Sequence, residues 1–350
     1  MISIIIPVYN IESCKKKFLQ AINSIFDQSY QDFEVVIVND GSTDQSLQIL
    51  NALAKRDPRI YLINKENGGV ESARRFGLKN AHGEYIVHMD QDDLYEKHAL
   101  QTMISKMEEE EADVVVGNNI RFIFNKKFTF APGHSPSMKS SKLILHDEFM
   151  KDYYHSYFGI NDFPVNIWCK MYRRSFIESI PEPPLTGQII EDLSYNMHVL
   201  PYAKKIYVIS DILYYYRWGG YTNRHDKTIL NTALIGYRLK KRQIKKWNLD
   251  DSFTISTAIE LLNYLNTYFY YLIIYDNVDK NYFIKEATSV FSISEVQDSI
   301  KIVKEYDKYH REHIDAMIEY DFERLYIHEK KTARSNYKKR LLKKFLLKFS

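Results

Sequence analysis

The sequence predicts an α/β fold in which a mostly parallel sheet carries helices on both faces and is followed by an α-helical C-terminal region. Apolar runs rich in β-branched residues alternate with segments of helical periodicity along the first part of the chain. Polar segments follow three of these runs, at Asn10, Asp40 and Asp90. Beyond about residue 226, Gly and Pro almost vanish and only Gly236 remains. We therefore predict two domains, 1–225 and 226–350.

The strands are predicted from short apolar runs that end in turn residues or polar residues. The first run, at residues 2–8, is a buried-type strand that ends at Pro7-Val8-Tyr9-Asn10. The predicted strands, in order, are 2–8, 33–38, 60–63, 84–89, 113–117 and 207–216.

The helices are predicted from apolar residues spaced three and four apart. In the first helix these are Phe18, Ala21, Ile22 and Ile25. The predicted helices of the first domain are 15–28, a segment around 47–54, 70–81, 94–110, a segment near 146–157, and 193–200. Asp44 is expected to cap the second of them.

A carboxylate cluster, Asp90-Gln91-Asp92-Asp93, directly follows the predicted strand 84–89. Three carboxylates delivered to one sheet edge repel one another, and a hard divalent cation would compensate them. The alternative is that Asp92 or Asp93 caps a helix that begins near Leu94.

The charge of the chain is unevenly distributed. Net charge is +3, but residues 330–350 contain nine basic residues and no acidic one, which leaves 39 basic and 45 acidic residues in the body. A mildly acidic body disfavours nucleic-acid binding.

In the tail, 334–350, apolar residues fall on one helical face between lysines, which suits an anionic membrane surface. The alternative is a terminal helix docked on the protein. The apolar residues are Leu341, Leu342, Phe345, Leu346 and Phe349.

Cysteine usage and the N-terminus predict a cytoplasmic protein. Cys14 and Cys169 show neither metal-ligand spacing nor a disulfide framework. The chain starts directly with a strand rather than a signal peptide, and no apolar run reaches the length of a membrane span. Contact with a membrane would therefore be peripheral, on the inner face of the cell membrane through the tail.

The usual nucleotide fingerprints are absent, since the chain has neither a dinucleotide-type glycine pattern nor a phosphate-binding loop that ends in Gly-Lys-Ser/Thr. Five other motifs appear in order over about the first 225 residues. They are Ile5-Ile6-Pro7-Val8-Tyr9-Asn10, Asn39-Asp40-Gly41-Ser42-Thr43-Asp44, Asn67-Gly68-Gly69 with Ala73-Arg74, Ala81-His82-Gly83-Glu84-Tyr85-Ile86, and Asp90-Gln91-Asp92-Asp93. The ordered set resembles the family 2 glycosyltransferases, which have the GT-A fold, and among them those that build bacterial capsule, exopolysaccharide or other surface glycans.

The resemblance implies a donor site. Pro7, Tyr9 and Asp40 would hold the uracil of a UDP-sugar. Asp90 would contact ribose or sugar, and Asp92 would ligate Mn²⁺ or Mg²⁺ on the diphosphate. The remaining implied donor-side residues are Asn10, Asn67, Gly69, Arg74 and Gln91 for the nucleotide, Arg217 for phosphate, and His225 for metal or phosphate. The chain departs from the family at Arg75, where Asn is frequent; we expect Arg75 to face solvent.

The resemblance also implies an acceptor side. Asp192 would be the general base and Glu191 its neighbour. The alternative for both is a helix N-terminus, which acidic residues favour. Trp168 and Lys170 would touch the acceptor, although a core tryptophan is an equal alternative.

These expectations describe an inverting, metal-dependent glycosyltransferase that moves a sugar from a UDP-sugar, of glucose, galactose or N-acetylhexosamine type, to a hydroxyl of a glycan, glycolipid or glycoprotein. Two alternatives stay open: a sugar nucleotidyltransferase, and a non-catalytic carbohydrate-binding protein on the same fold. The helical domain could bind acceptor, membrane or a second subunit.

Overall fold

A computed structural model describes residues 1–122, 138–159, 163–186, 190–217, 228–306 and 311–337. The chain divides into two compact units. One consists of Met1–Tyr154 and Asp162–Trp218, and the other of His155–Asn161 and Gly219–Ser350. The boundary predicted at 225/226 lies outside the described residues, and the assignment of 155–161 to the second unit was not predicted.

In the part of the chain that the structure describes, the first unit is built on a nine-stranded sheet; its strands, numbered along the chain, lie in the order β3-β2-β1-β4-β8-β6-β9-β5, with β7 paired to β9. Strands β1 to β4 are parallel to one another, as are β6 and β9, whereas β8, β5 and β7 run antiparallel to their neighbours. The predicted α/β architecture with a mostly parallel sheet is therefore confirmed. The strands are β1 Ile2–Val8, β2 Phe33–Asp40, β3 Ile60–Lys65, β4 Tyr85–His88, β5 Leu94–Tyr95, β6 Val114–Phe122, β7 Lys142–Leu145, β8 Lys170–Arg173 and β9 Lys205–Arg217.

The helices of this unit place apolar side chains on the sheet, as their periodicity predicts. In the first helix Phe18, Ala21, Ile22 and Ile25 are all buried. The helices are α1 Lys15–Phe26, α2 Ser46–Ala54, α3 Gly69–Asn80, α4 Ala99–Glu109, α5 His146–Glu148, α6 Arg174–Glu178 and α7 Glu191–Val199.

The predicted helix 94–110 is wrong at its start. Leu94 and Tyr95 form β5, because they pair with Tyr215 and Tyr214 of β9, and α4 begins only at Ala99. The sheet partner, which is distant in sequence, overrides the helical period.

The predicted helix near 146–157 is interrupted. After α5 the chain makes a π-helical turn at Phe149–Tyr153 and a 3₁₀ turn at Tyr154–Phe158. A π turn brings residues five apart onto one side, and here it sets the buried rings of Phe149 and Tyr154 5.9 Å apart.

Two glycines let the site-bearing segments approach one another. Gly77 lies where α3 crosses β1, and a Cβ there would stand 2.6 Å from Ile5 Cγ2, so only glycine permits this close packing. Gly41, after β2, has φ +65°, and a Cβ there would stand 2.5 Å from the backbone nitrogen of Asn67. The two glycines therefore fix α3 and the turn that precedes it against the sheet.

The second unit is helical in its described parts and encloses its own apolar core. Its helices are α8 Ile229–Trp247, α9 Asp251–Ile274, α10 Lys280–Phe291, α11 Ser294–Glu305, α12 Glu312–Ile318 and α13 Phe322–Ser335. Of the helices that the structure describes, none has the length and apolarity needed to cross a bilayer. Most of the tail predicted to be amphipathic, from residue 338 onward, lies outside the described residues.

A buried carboxyl group in α13 makes the stability of this unit depend on pH. Glu329 is 0% exposed, and neither of its oxygens accepts a hydrogen bond from any residue that the structure describes. Burial raises its pKa from 4.5 to about 8. Between these values the unfolded chain carries an ionised Glu329 and the folded chain a protonated one, so folding stability falls by about 1.4 kcal/mol per pH unit as pH rises through that window.

We expect Glu329→Gln to remove this slope, because the amide stays neutral at every pH. The measurement is urea unfolding of the full chain at pH 5, 6.5 and 8. The free energy of unfolding of the variant, relative to that of the parent protein, should increase as pH rises. Glu305→Gln is the matched control, since Glu305 is exposed at the end of α11. A difference in the free energy of unfolding between variant and parent that is the same at all three pH values would contradict the expectation.

Candidate active site

The loops at the carboxyl ends of β1, β2 and β4 are tied together by hydrogen bonds between side chains and backbone. The backbone N–H of Tyr9 donates to Gln91 Oε1 at 3.0 Å. The Asn10 N–H donates to Ser42 Oγ at 3.0 Å, and Asn10 Oδ1 accepts from the Thr43 N–H at 2.9 Å. Asn10 and Gln91 thus hold neighbouring loops, while the Tyr9 ring remains exposed.

Asp40 is a buried anchor for the start of α3. Its Oδ1 accepts from Lys65 Nζ at 2.7 Å and from the Gly68 N–H at 3.0 Å, and its Oδ2 accepts from the Gly69 N–H at 2.8 Å. Asn67 Nδ2 donates to the carbonyl of Asp40 at 2.8 Å. A contact of Asp40 with a base remains a prediction; the contacts observed here shape the turn that would border the base. Lys65, which sequence analysis did not single out, is part of this anchor.

Asp44 supports the start of α2 but is not its cap residue, which is Gln45, so the predicted cap is one residue off. Its Oδ1 accepts from the N–H of Ser46, the first residue of that helix, at 2.9 Å. Its Oδ2 accepts from the Glu12 N–H at 3.0 Å, which links the helix to the loop after β1.

Arg74 of α3 gathers three carboxylates from two distant parts of the sequence. Its guanidinium lies 2.7 Å from Asp90 Oδ1, 2.7 Å from Asp192 Oδ1 and 3.5 Å from Glu191 Oε1. Arg74 is buried, and its Nε has no hydrogen-bond partner among the described residues. The predicted donor-side residue Asp90 and the predicted base Asp192 therefore share one cation.

The electrostatics of this group follow from burial and crowding. Burial disfavours the charged guanidinium, but Asp192, Asp90 and Glu191 more than offset it and raise the pKa of Arg74. Burial, followed by the charge of Asp192, raises the pKa of Glu191 to about 7. Because a single guanidinium faces three carboxyl groups, the group has an excess of negative charge.

Beneath Arg74 lies a histidine that stays neutral. His88, the last residue of β4, is buried, and neither ring nitrogen has a hydrogen-bond partner in the described parts of the chain. Its ring meets Tyr172 and Tyr195 edge-on, with centroids 6.2 and 6.0 Å away. Burial, aided by the charge of Arg74, lowers the pKa of His88 to about 3.

Asp93 fastens the acidic loop to β9 and does not cap a helix. Its Oδ2 accepts from the Tyr214 hydroxyl at 2.9 Å, and its Oδ1 accepts from the Arg217 N–H at 2.7 Å. The helix-cap alternative for Asp92 and Asp93 is therefore wrong, because the chain continues into β5 rather than into a helix.

Asp92 differs from Asp93 in the hydrogen bonds of its carboxylate. Its carbonyl accepts from Arg217 Nε at 2.7 Å, whereas its carboxylate accepts no hydrogen bond from the residues that the structure describes. The guanidinium of Arg217 also reaches Gln20 Oε1 at 3.0 Å. Arg217 thus supports the backbone of the acidic loop and leaves the Asp92 carboxylate available to a ligand.

A model of the family described as glycosyl transferase family 2 matches residues 3–180. The chain belongs to this family. The resemblance read from the ordered motifs is therefore confirmed. The named relatives below agree with that assignment.

Similar glycosyltransferases occur in two Gram-positive bacteria. The chain is 31% identical to glycosyltransferase GlyA of Streptococcus pneumoniae over 217 residues, which cover 62% of this chain and 30% of GlyA. It is 30% identical to the uncharacterized glycosyltransferase EpsJ of Bacillus subtilis over 220 residues, which cover 62% of this chain and 61% of EpsJ. The chain thus spans less than two thirds of the length of either relative.

Solved structures of Staphylococcus aureus TarS share the fold. TarS 1–349 in complex with UDP superposes with a TM-score of 0.60 at 21% identity, covering 97% of this chain and 91% of TarS 1–349. TarS 1–349 in complex with UDP-GlcNAc gives a TM-score of 0.57 at 21% identity, with the same coverage. The predicted GT-A fold is therefore confirmed for this family member.

The predicted acceptor residue Trp168 lies in the core of the first unit. It is 9% exposed and stacks nearly parallel on Tyr214 and Tyr216, with centroids 4.7 and 5.3 Å away. These contacts fit the alternative that Trp168 is a core tryptophan. A contact of Trp168 with the acceptor remains a prediction. Lys170 is completely buried. His225 lies outside the described residues.

Sequence analysis missed that α3 also holds the segment before Glu191. Glu71 Oε2 accepts from the Thr186 N–H at 2.7 Å, and Arg75 lies 3.1 Å from Glu182 and donates to the Pro183 carbonyl. The expectation that Arg75 faces solvent is wrong, because it binds this loop. Only the departure at Arg75 from the family pattern hinted at this role.

Proposed function

We propose that this glycosyltransferase moves a sugar from a UDP-sugar to a hydroxyl of a glycan, glycolipid or glycoprotein, with inversion at the anomeric carbon. The arrangement of Arg74 with Asp90 and Asp192 carries the proposal. Asp90 follows β4, where a donor would bind at the carboxyl ends of the strands. Asp192 approaches the same guanidinium from α7, at 2.7 Å. A donor-side and an acceptor-side carboxylate would therefore face one reaction centre.

The solved TarS structures support the donor class. TarS has the same fold, and its structures include complexes with UDP and with UDP-GlcNAc. In this chain the loop around Asp40, Asn67 and Gly69 would border the base, and the exposed Tyr9 ring would lie against it.

A divalent cation fits the chemistry of Asp92. The carboxylate has no hydrogen-bond donor among the described residues, and carboxylate oxygen is a preferred ligand of Mg²⁺ and Mn²⁺. In the part of the chain that the structure describes, no group of three or more His, Cys, Asp or Glu side chains is arranged to hold a metal. Asp92 would therefore share the ion with phosphate oxygens of the donor. When bound, such an ion neutralises charge on a diphosphate leaving group.

Asp192 would act as the general base. Its Oδ1 is held by Arg74, which fixes the orientation of the carboxylate, and its Oδ2 would accept the proton of the acceptor hydroxyl. The acceptor oxygen then forms a bond to the anomeric carbon while the bond from that carbon to the diphosphate breaks and UDP leaves. Attack from the side opposite UDP inverts the anomeric centre.

The direct test is a screen of UDP-sugars for hydrolysis, with Mn²⁺ or Mg²⁺ present, accompanied by calorimetric titration with UDP. We expect metal-dependent UDP binding and release of UDP from one or a few donors. Metal-independent binding of a nucleoside triphosphate, with no release of UDP from any UDP-sugar, would favour a nucleotidyltransferase instead.

A further inference from the structure

Lys170 is an ammonium group completely buried in the sheet. It is the first residue of β8, which lies between β4 and β6, and it is 0% exposed. An ammonium group buried away from water is costly unless hydrogen bonds and opposite charges compensate it. In the described residues Nζ has a single hydrogen-bond acceptor, the carbonyl of Asn166. The remaining compensation must therefore be electrostatic.

The carbonyl of Asn166 connects Lys170 to α7. It also accepts from Asn196 Nδ2 at 2.9 Å, and Asn196 Oδ1 accepts from the Tyr172 hydroxyl at 2.7 Å. Asn196 lies four residues after Asp192 in the same helix, so the two side chains share one face of α7. Lys170 and Asp192 are thus brought to the same side of one helix.

The negative charges around Asp192 make a second cation nearby favourable. Arg74 of α3 faces Asp192 together with Asp90 of the loop after β4 and Glu191 of α7. One guanidinium cannot balance three carboxyl groups in a buried setting. Lys170 of β8 is a second buried cation on which the charge of Asp192 acts.

The pKa of Lys170 agrees with this arrangement. Burial lowers it to about 7, while the charge of Asp192 acts in the opposite direction. Lys170 therefore changes its charge near neutral pH, and Asp192 favours the charged form.

We propose that Lys170 is a positioning residue for the transfer reaction, a buried cation that acts through the Asn166 carbonyl and Asn196 to hold the face of α7 that carries Asp192. The proposal rests on the proposed role of Asp192 as base. Arg74 of α3 and Lys170 of β8 are both buried, and the charge of Asp192 acts on each of them. Because Lys170 loses its proton as pH rises through about 7, the support that it gives Asp192 should weaken above that pH.

The first test needs no substrate. In protein labelled with ¹⁵N at lysine Nζ, the resonance that disappears in Lys170→Met is assigned to Lys170 and is followed from pH 5 to 9. In Asp192→Asn its midpoint should fall by roughly half a pH unit or more, because an opposite charge has been removed. Asp211→Asn, at an exposed position of β9, should leave the midpoint unchanged. An unchanged midpoint in Asp192→Asn would overturn the proposal, whether or not transfer activity is found.

The second test uses the pH profile of transfer. Lys170→Met should lower kcat by on the order of 10²-fold while UDP affinity is kept, and its kcat/KM should lack the alkaline limb that we expect near pH 7 in the parent protein. Lys170→Arg keeps the charge and should recover part of kcat with the limb moved to higher pH. Lys240→Met is the control, since Lys240 is a buried lysine of α8 paired with Glu260. It should lower stability without changing the profile.

The outcomes distinguish a failure of the proposal for Lys170 from a failure of the proposed function. A Lys170→Met profile with the same alkaline limb as the parent protein would overturn the proposal for Lys170. Absence of transfer in the parent protein with every UDP-sugar would refute the proposed function, and the NMR titration would then still decide whether Lys170 and Asp192 interact.

Discussion

Replacing Asp92 with asparagine is expected to lower transfer by roughly 10²- to 10⁴-fold, because a ligand of the cation on the diphosphate would be lost. The side chain keeps its volume and the loop keeps its anchors, since Asp93 still binds Tyr214 and the Asp92 carbonyl still binds Arg217 Nε. The protein should therefore fold normally. The loss is specific to the charge of one carboxylate.

Two measurements check this expectation for Asp92. Calorimetric titration with UDP should show Mn²⁺-dependent binding in the parent protein and weak, Mn²⁺-independent binding in Asp92→Asn. Initial rates of UDP release should fall in parallel. Asp211→Asn is the matched control, because it makes the same chemical change at an exposed position of β9. Equal turnover of parent protein and Asp92→Asn would rule out Asp92 as the metal ligand.

The second large effect is expected at Asp192. Asp192→Asn should lower kcat by about 10²- to 10⁴-fold, the usual contribution of a general base, while the Kd for UDP changes little. Asparagine can still accept the hydrogen bond of Arg74 through Oδ1, so α7 should keep its place. What is lost is the ability to take the proton of the acceptor hydroxyl.

Glu191→Gln provides the comparison for Asp192. Glu191 stands 3.5 Å from Arg74, and burial raises its pKa to about 7, so it is already partly protonated near neutral pH. Replacing it with a neutral amide should therefore reduce kcat less than Asp192→Asn does. If UDP binding disappears together with transfer in Asp192→Asn, Asp192 belongs to the donor side instead.

Much of the catalytic unit could be read from local patterns. The strands β1, β2 and β4 are continuous apolar runs, and such runs with intervening helical periods predict a parallel sheet whatever else the chain does. The polar residues that follow these strands had to meet at one edge. Asn10 and Asp90 do lie in loops there and Asp40 ends β2, and Asn10 and Asp40 are hydrogen-bonded to residues of neighbouring loops.

The roles within the site could not be read in the same way. Asp92 and Asp93 are adjacent and chemically identical, yet one is fastened to Tyr214, 121 residues away, and the other is not. Arg74 meets Asp192 across 118 residues. No periodicity encodes such pairs, because they depend on which side chains the finished sheet brings together. The misplaced start of α4 has the same cause, since β5 exists only through its pairing with β9.

By itself, the sequence determined the alternation of strands and helices, the edge at which the carboxylates collect and the family to which the chain belongs, because these follow from local hydrophobic periods and short ordered motifs. Only the tertiary structure decided that Arg74 joins Asp90 to Asp192, that Arg75 and Glu71 hold the segment before α7, and that Lys170 is completely buried. The physical reason is that burial and charge pairing are properties of the packed chain. A lysine or an aspartate has the same local signature whether it ends in solvent or in the core.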